Sequence, residues 1–414
     1  MNRPMRAAGS LVVVAVLVVL PACKTATGLP DVGPPPPITT LRDAQAPDDT
    51  VPVLDIRASD SLNGQPVVRA GGTAGRQFNV LVLSGGGAYG AYSAGLLTGW
   101  TEAKTRPTFD VVTGVSTGAL IAPLAFLGPE YDAELRKFYT TMKDSDVYNR
   151  RSDIHAVFSD AFAESKPLAN LIDQTVDQAL VDRLAVEHAK GRRLYVGTTH
   201  LESRRLVVWD IGAIASRKTE WDAPLIRRVL LASASIPGFF PPAKIPVEVD
   251  GKWYEELHVD GGVTASLFFR PPHVSKAEAK LLGDRPLGGS NLYIVVAGKL
   301  YADPAPVENR LLSIVENSIS ALLYAQTRGD LFQLYALTLA TGMNYRLAAV
   351  PLGEDAPVDA TSFDPVQMKA LFEVGRKYAR EGKAWRATPP GLQPGEEVPL
   401  RGGLKLTTGE AEKQ

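Results

Sequence analysis

Apolar residues in this chain fall into short runs that alternate with segments of helical periodicity. Residues 78–83 form a largely apolar run, as expected of a strand buried on both faces of a parallel sheet. A second apolar strand is predicted at 110–113. A glycine-rich loop or turn follows each of these strands directly, and the start of a helix follows each loop. The order of strand, loop and helix occurs twice in succession, which is typical of an α/β domain.

The alternation continues toward the C-terminus. The patterns predict further strands at 193–199, 206–211, 252–259, 292–297 and 345–350. They predict helices at 134–142, 168–179, 224–231, 306–342 and 365–380. The helical stretch 306–342 is amphipathic, and we expect a bend at Gly329 and packing on the rest of the domain.

The N-terminus has the pattern of an export signal. Arg3 and Arg6 precede an apolar run at 7–20, which is short for a membrane span and suits a signal peptide. The next residues, 20–23, resemble a bacterial lipoprotein lipobox, although Pro21 is unusual there. We therefore expect a signal peptide over 1–22 and a lipid anchor on Cys23. An ordinary secretory signal with an incidental cysteine is the alternative.

A proline-rich segment separates this signal from the first strand. Residues 23–77 contain four consecutive prolines and no sustained apolar period, so we interpret them as an extended tether. A catalytic domain is predicted over 78–275, followed by an α-rich extension over 276–388 that packs on it. A mobile tail over 389–414 completes the predicted organisation.

Composition and charge exclude several classes of protein. Hydrophobic residues make up 45% of the 414 residues and charged residues 21%, values typical of folded globular proteins. The net charge of −1 gives no basic excess for a nucleic-acid partner. Cys23 is the only cysteine, so no intramolecular disulfide can form.

The turn after the second strand has the pattern of a nucleophile elbow. Gly114–Val115–Ser116–Thr117–Gly118 matches Gly-x-Ser-x-Gly between a predicted strand and a predicted helix. Such a turn presents the serine hydroxyl with little steric cover, and the two glycines, Gly114 and Gly118, allow the backbone to approach closely. Ser116 is therefore the candidate nucleophile.

Two more glycine-containing loops follow predicted strands. The loop from Gly85 to Gly90 opens a helix, and the N–H groups of Gly86, Gly87 and Ala88 are candidates to hold an oxyanion. Asp260 follows another strand directly, and Gly261 and Gly262 would let its turn approach the serine. Because ligands bind at the carboxyl edge of parallel sheets, we expect these loops to meet Ser116, with Asp260 as its base.

At these three loops the chain resembles the patatin-like phospholipase family. The resemblance covers about residues 78–275 and rests on Gly85–Gly90, the serine elbow and Asp260–Gly262, with 260 − 116 = 144 residues between serine and aspartate. It also extends to the segment 232–240. The resemblance implies a three-layer α/β/α fold with a mainly parallel central sheet. It also implies a Ser116–Asp260 dyad that cleaves acyl esters of lipids or phospholipids through an acyl-serine, without a cofactor.

The sequence departs from the family pattern at two places. Tyr89 stands where the family usually has arginine or lysine, which puts any role of that charge in doubt. Ser266 and Phe268 stand where asparagine and proline often follow the aspartate turn. The second departure concerns the packing beside Asp260 and not its chemistry.

Other functions remain as alternatives. The glycine loop also fits a dinucleotide fingerprint, but Asp110 lies at the wrong end of the second strand for a ribose contact. A Ser–His–Asp esterase would need a histidine after the acid, and only His273 follows Asp260. His258 is a candidate for lining the pocket or for packing. A lipid-binding surface lipoprotein that has lost turnover is the alternative from another class. No HExxH motif or cysteine cluster predicts a metal.

Overall fold

The computed structural model describes residues 77–150, 161–249, 252–269, 287–302, 306–351, 353–354 and 360–392. The predicted signal peptide, Cys23 and all but the last residue of the tether lie outside these residues. The same holds for His155, His273 and most of the predicted tail. Those predictions therefore stay predictions.

The first half of the chain forms the elements that contain the glycine loop and the elbow. In order they are β1 (Asn79–Leu83), α1 (Gly90–Glu102), β2 (Val111–Val115), α2 (Thr117–Leu127), α3 (Asp132–Thr141), α4 (Asp144–Val147), β3 (Asn149–Arg150), β4 (Ala163–Glu164), α5 (Lys166–Thr175) and α6 (Gln178–Ala189). The single helix predicted at 168–179 is instead two helices. Asp177 caps the second one, since its Oδ1 accepts a hydrogen bond from the N–H of Leu180 at 2.8 Å.

The second half adds the remaining strands and two long C-terminal helices. Its elements are β5 (Arg193–His200), β6 (Arg205–Asp210), α7 (Ile211–Ala215), α8 (Asp222–Ser233), β7 (Ala243–Val249), β8 (Lys252–Asp260), β9 (Asn291–Val295), α9 (Leu311–Thr341), β10 (Asn344–Ala348) and α10 (Pro365–Arg380). Sequence patterns did not predict β7 or α6. The helix α9 continues through Gly329 without interruption.

The central sheet is mixed, with parallel strands at its centre. Its order is β10-β9-β1-β2-β5-β8-β7, and β6 also pairs with β5. The pairs between β10, β9, β1, β2 and β5 are all parallel. The strands β6, β7 and β8 add antiparallel pairs on one side. The predicted C-terminal extension therefore contributes two strands, β9 and β10, to the same sheet as the elbow.

Helices cover both faces of this sheet and form two apolar cores. On one face α1, α2, α8 and α10 pack against inward side chains such as Leu81, Val112 and Val196. On the other face Leu331 and Leu334 of α9 pack against Val80, Val82 and Ile294 of the sheet, among others. The predicted α/β/α architecture is thus confirmed.

The helix α9 is buried only in its second half. Its first half exposes a stripe of apolar side chains, among them Leu311, Ile319 and Leu322. Across the residues that the structure describes, no helix combines the length and hydropathy that a membrane span requires.

Candidate active site

Ser116 lies in a strained turn between β2 and α2. Its backbone has φ 55° and ψ −126°, and a positive φ is uncommon for any residue with a side chain. A Cβ atom on Gly114 would lie 2.5 Å from the carbonyl oxygen of Gly118, and one on Gly118 would lie 2.5 Å from that of Leu83. The turn therefore closes only with glycine at both positions, and it presents Ser116 at the start of α2.

Asp260 lies at the end of β8 and contacts Ser116. The hydroxyl of Ser116 lies close enough to its carboxyl group to lower the pKa of that carboxyl, and the N–H of Gly262 donates to Oδ1 at 2.7 Å. Both residues are only 6% exposed. Burial raises the pKa of Asp260 to about 6, although the Ser116 hydroxyl and the Gly262 N–H act to lower it. Below that pH the carboxyl group loses its ability to accept a proton.

The register of β5 explains why these two residues meet. Val115 of β2 pairs with Gly197, and Asp260 of β8 pairs with the next residue, Thr198. The strand β2 is parallel to β5, whereas β8 is antiparallel to it. The two strands therefore meet end to end along one side of β5. The expectation that Asp260 ends a parallel strand was wrong, but the antiparallel strand brings it to the same place.

Close backbone packing holds the aspartate turn at this junction. A Cβ atom on Gly261 would lie 2.5 Å from the carbonyl oxygen of Gly197. On the other side of the serine, a Cβ atom on Gly85 would lie 2.9 Å from the Cβ of Ser116. Glycine at these two positions therefore lets both neighbouring loops approach Ser116.

The last residue of α8 and the segment that follows it hold Ser116 and Asp260 in place, a role that sequence reasoning missed. The Oγ of Ser233 accepts a hydrogen bond from the N–H of Ser116 at 2.9 Å and donates one to the carbonyl of Gly197 at 2.7 Å. The N–H of Asp260 donates to the carbonyl of Ser235 at 2.9 Å. The motif around 232–240 gave a signal, but only the tertiary pairing shows which hydroxyl contacts the elbow.

The glycine loop lies beside the elbow, and one part of the predicted oxyanion hole needs correction. The N–H of Ala88 donates to the carbonyl of Ala360 at 2.8 Å, so it is not free to bind an oxyanion. Within the described part of the chain, the N–H groups of Gly86 and Gly87 make no hydrogen bond. Gly86 has φ 154°, a conformation that requires glycine. Gly90 follows in the first turn of α1, where its Cα lies against the Thr117 and Tyr139 side chains.

An apolar cavity opens at Ser116. It encloses about 490 Å³, part of it solvent, and its lining includes Gly87, Ser116, Ile236 and Phe239. A second cavity of about 520 Å³ continues between α2, α3, α5 and α6. The two share four lining residues, Leu120, Tyr139, Met142 and Leu168. The two cavities therefore adjoin at these side chains.

The described histidines are engaged elsewhere. The two ring nitrogens of His258 lie at hydrogen-bond distance from Thr198 and Glu256. His200 contacts Ser203, and His188 lies 3.6 Å from Asp210. Among the residues that the structure describes, no histidine makes a hydrogen bond to Ser116 or Asp260.

The fold and the elbow define a class of three-layer α/β proteins with a serine at a strand-to-helix turn. The comparisons with known proteins narrow this class. Residues 81–272 match the model of the family described as "Patatin-like phospholipase". The chain therefore contains a patatin-like phospholipase domain over these residues, and this domain is of a kind found in lipid acyl hydrolases.

A solved structure is similar in part of its fold. The crystal structure of VipD from Legionella pneumophila aligns with 12% identity and a TM-score of 0.32, over 74% of this chain and 67% of that chain. A search of curated protein sequences gives no match.

Replacing Ser233 with alanine should impair turnover more than folding. Ser233→Ala removes the group that fixes the N–H of Ser116, and a small displacement of a nucleophile costs roughly 10- to 100-fold in rate. We expect kcat for an acyl ester to fall in that range, measured against Ser235→Ala. The Ser235 hydroxyl, two residues beyond α8, is also buried, but it donates to the carbonyl of Leu231 in α8 and not to the elbow. Equal kcat values for the two variants would contradict this role.

Proposed function

We propose that this protein hydrolyses acyl esters of lipids or phospholipids with a Ser116–Asp260 dyad. The observation that carries the proposal is the meeting of Ser116 with the buried Asp260 carboxyl group, where β2 and β8 end at consecutive positions on β5, within a patatin-like phospholipase domain. A carboxylate with a pKa near neutral can accept the serine proton directly, so the pair needs no imidazole between them.

The reaction has two steps. The Ser116 oxygen attacks the ester carbonyl carbon while Asp260 takes its proton, and the N–H groups of Gly86 and Gly87 stabilise the oxyanion. The helix α2, which begins directly after Ser116, adds its positive end. The C–O bond then breaks, and the alcohol leaves with the proton from Asp260. In the second step Asp260 deprotonates a water that attacks the acyl-serine, which releases the acid and restores Ser116.

The apolar cavities support an acyl chain as the part of the substrate that is buried. The cavity at Ser116 is lined mainly by apolar side chains, and a second apolar cavity adjoins it at Leu120, Tyr139 and Met142. Burial of each CH₂ group there contributes about 0.8 kcal/mol. An ester carbonyl held at Ser116 can therefore extend its hydrocarbon chain inward while the alcohol part stays toward solvent.

Replacement of the two proposed catalytic residues tests the dyad. Ser116→Ala should lower kcat/KM for a phospholipid or p-nitrophenyl ester by about 10³-fold or more and abolish labelling by a fluorophosphonate. Asp260→Asn should lower turnover comparably while leaving the melting temperature unchanged or higher, since it removes a buried carboxyl group that folding disfavours in its ionised form.

Asp330→Asn is the matched control for the aspartate. Burial also raises the pKa of Asp330 to about 6, but its Oδ2 accepts hydrogen bonds from the N–H groups of Ser266 and Leu267, away from the serine. This variant should keep most of its turnover. Full activity of Asp260→Asn would instead favour a Ser–His–Asp esterase. If the wild-type protein hydrolyses no ester at all, a lipid-binding protein without catalytic activity is favoured.

The pH profile gives an independent check on the base. Because the pKa of Asp260 is raised to about 6, its carboxylate form is lost at a higher pH than for an ordinary aspartate. We expect log kcat/KM to be flat above that pH and to fall by about one unit per pH unit below it. A neutral p-nitrophenyl ester is the substrate, and circular dichroism at each pH controls for unfolding. A profile that stays flat well below the expected break would rule out Asp260 as the base.

We also propose that the protein is exported and anchored in the bacterial cell envelope through a lipid on Cys23. The support is the sequence pattern at 1–23 and the proline-rich segment that follows. Metabolic labelling with an alkyne fatty acid should mark the wild-type chain in a membrane fraction and should not mark Cys23→Ser. Equal labelling of both forms would contradict the anchor.

A further inference from the structure

Two histidines and a glutamate form a second cluster of titratable groups beside the catalytic pair. His258 and Glu256 lie on β8, and His200 ends β5, directly opposite His258 in the register. One ligand atom from each of the three lies within 4.8 Å of the others. Because His200 precedes Glu256 by 256 − 200 = 56 residues, no local sequence motif indicates this set.

Strand pairing places the three side chains on one face. Directly opposed residues of an antiparallel pair share a face, as do residues two apart on a strand. The His200 and His258 rings accordingly stack, with centroids 5.1 Å apart, and Glu256 Oε2 lies 3.1 Å from His258 Nε2. In a tetrahedral zinc site, neighbouring ligand atoms lie about 3.4 Å apart. Rotamer adjustments would therefore bring these three atoms to ligand distances.

The cluster contains a buried nitrogen without a hydrogen bond. The side chain of His200 is 4% exposed, and its Nε2 makes no hydrogen bond to any described atom. That nitrogen lies 2.8 Å from Glu202 Oε2.

The surrounding residues orient the two rings as they would in a metal site. The Nδ1 of His258, whose side chain is fully buried, lies 2.9 Å from the Thr198 hydroxyl, which also accepts a hydrogen bond from the Trp209 indole at 2.8 Å. The Nδ1 of His200 lies 2.8 Å from the Ser203 hydroxyl. Metal-binding histidines typically use their second nitrogen in this way, which fixes the tautomer and leaves the first nitrogen for the ion.

We propose that His200, Glu256 and His258 bind one divalent transition-metal ion, with Zn²⁺ the ion that this set fits best. Two imidazoles and a carboxylate suit zinc, whereas Ca²⁺ and Mg²⁺ prefer oxygen ligands alone. The carboxylate of Glu256 contacts His258 and that of Glu202 contacts His200, so the negative charge beside the two rings favours a cation.

The ion would connect the strands that hold the catalytic base. His200 ends β5, and His258 lies two residues before Asp260 on β8. A metal bridge between these histidines would tie the two strands together at the point where β8 presents its carboxyl group. The role we assign to the ion is thus structural support of the site, with no part in the ester chemistry.

Metal binding by the full-length, untagged chain tests the proposal. We expect the wild type to take up one Zn²⁺ per chain by elemental analysis after dialysis. Thermal unfolding should shift to higher temperature when Zn²⁺ is added, because the ion binds only the folded site. Co²⁺ in its place should give the visible absorption of a tetrahedral nitrogen–oxygen site.

Three variants assign the ligands. Glu256→Gln and His200→Gln should each weaken Zn²⁺ binding by about 100-fold or more. Glu255→Gln is the matched control, since this neighbour lies on the opposite face of β8 and pairs with Lys244. Glu256 is partly exposed, so its variant should fold even where the buried histidine variant does not. Failure of the wild type to bind Zn²⁺, or unchanged binding by Glu256→Gln, would overturn the proposal and leave the Ser116–Asp260 dyad untouched.

Discussion

The candidate active site depends on the pairing of one strand, β5, with two others that approach it from opposite directions. Along one side of β5, Gly197 pairs with the last residue of β2 and Thr198 pairs with the last residue of β8. Ser116 and Asp260 then meet because their strands end at consecutive positions on a shared neighbour. Backbone hydrogen bonds hold these strands together. The relative position of Ser116 and Asp260 is therefore fixed by the strand pairing and not by contacts between side chains of the site.

This arrangement maintains two unfavourable features in one place. Ser116 holds a positive φ, which costs of order 1–3 kcal/mol, and Asp260 is a carboxyl group with almost no exposure. Ser233 offsets the first by satisfying the N–H of Ser116, and Gly262 offsets the second by donating to the carboxylate. The raised pKa of Asp260 that remains is also what makes it suitable as a base. Backbone strain at Ser116 and desolvation of Asp260 therefore fall on the two residues that we propose to carry out the reaction.

Much of the fold could be predicted because its signals are local. The apolar run of β1, the elbow around Ser116 and the loop from Gly85 each follow from patterns of a few residues. The direction of β8, the hydrogen bond from Ser233 and the engagement of Ala88 by Ala360 could not be predicted in this way, since they depend on which distant segments pair. For the same reason, the cluster around His258 has no counterpart in a sequence motif.

β8 pairs over a longer stretch with β7 than with β5, and this difference affects how the protein loses activity on heating. β8 pairs with β7 over seven residues but with β5 over only three, at Thr198, Thr199 and His200. The β7–β8 hairpin is thus a small cooperative unit with a narrow connection to the rest of the sheet. Opening of that connection would withdraw the base while the parallel core stayed folded. Loss of function on heating would then report detachment of a hairpin, at a temperature below the one at which the molecule melts.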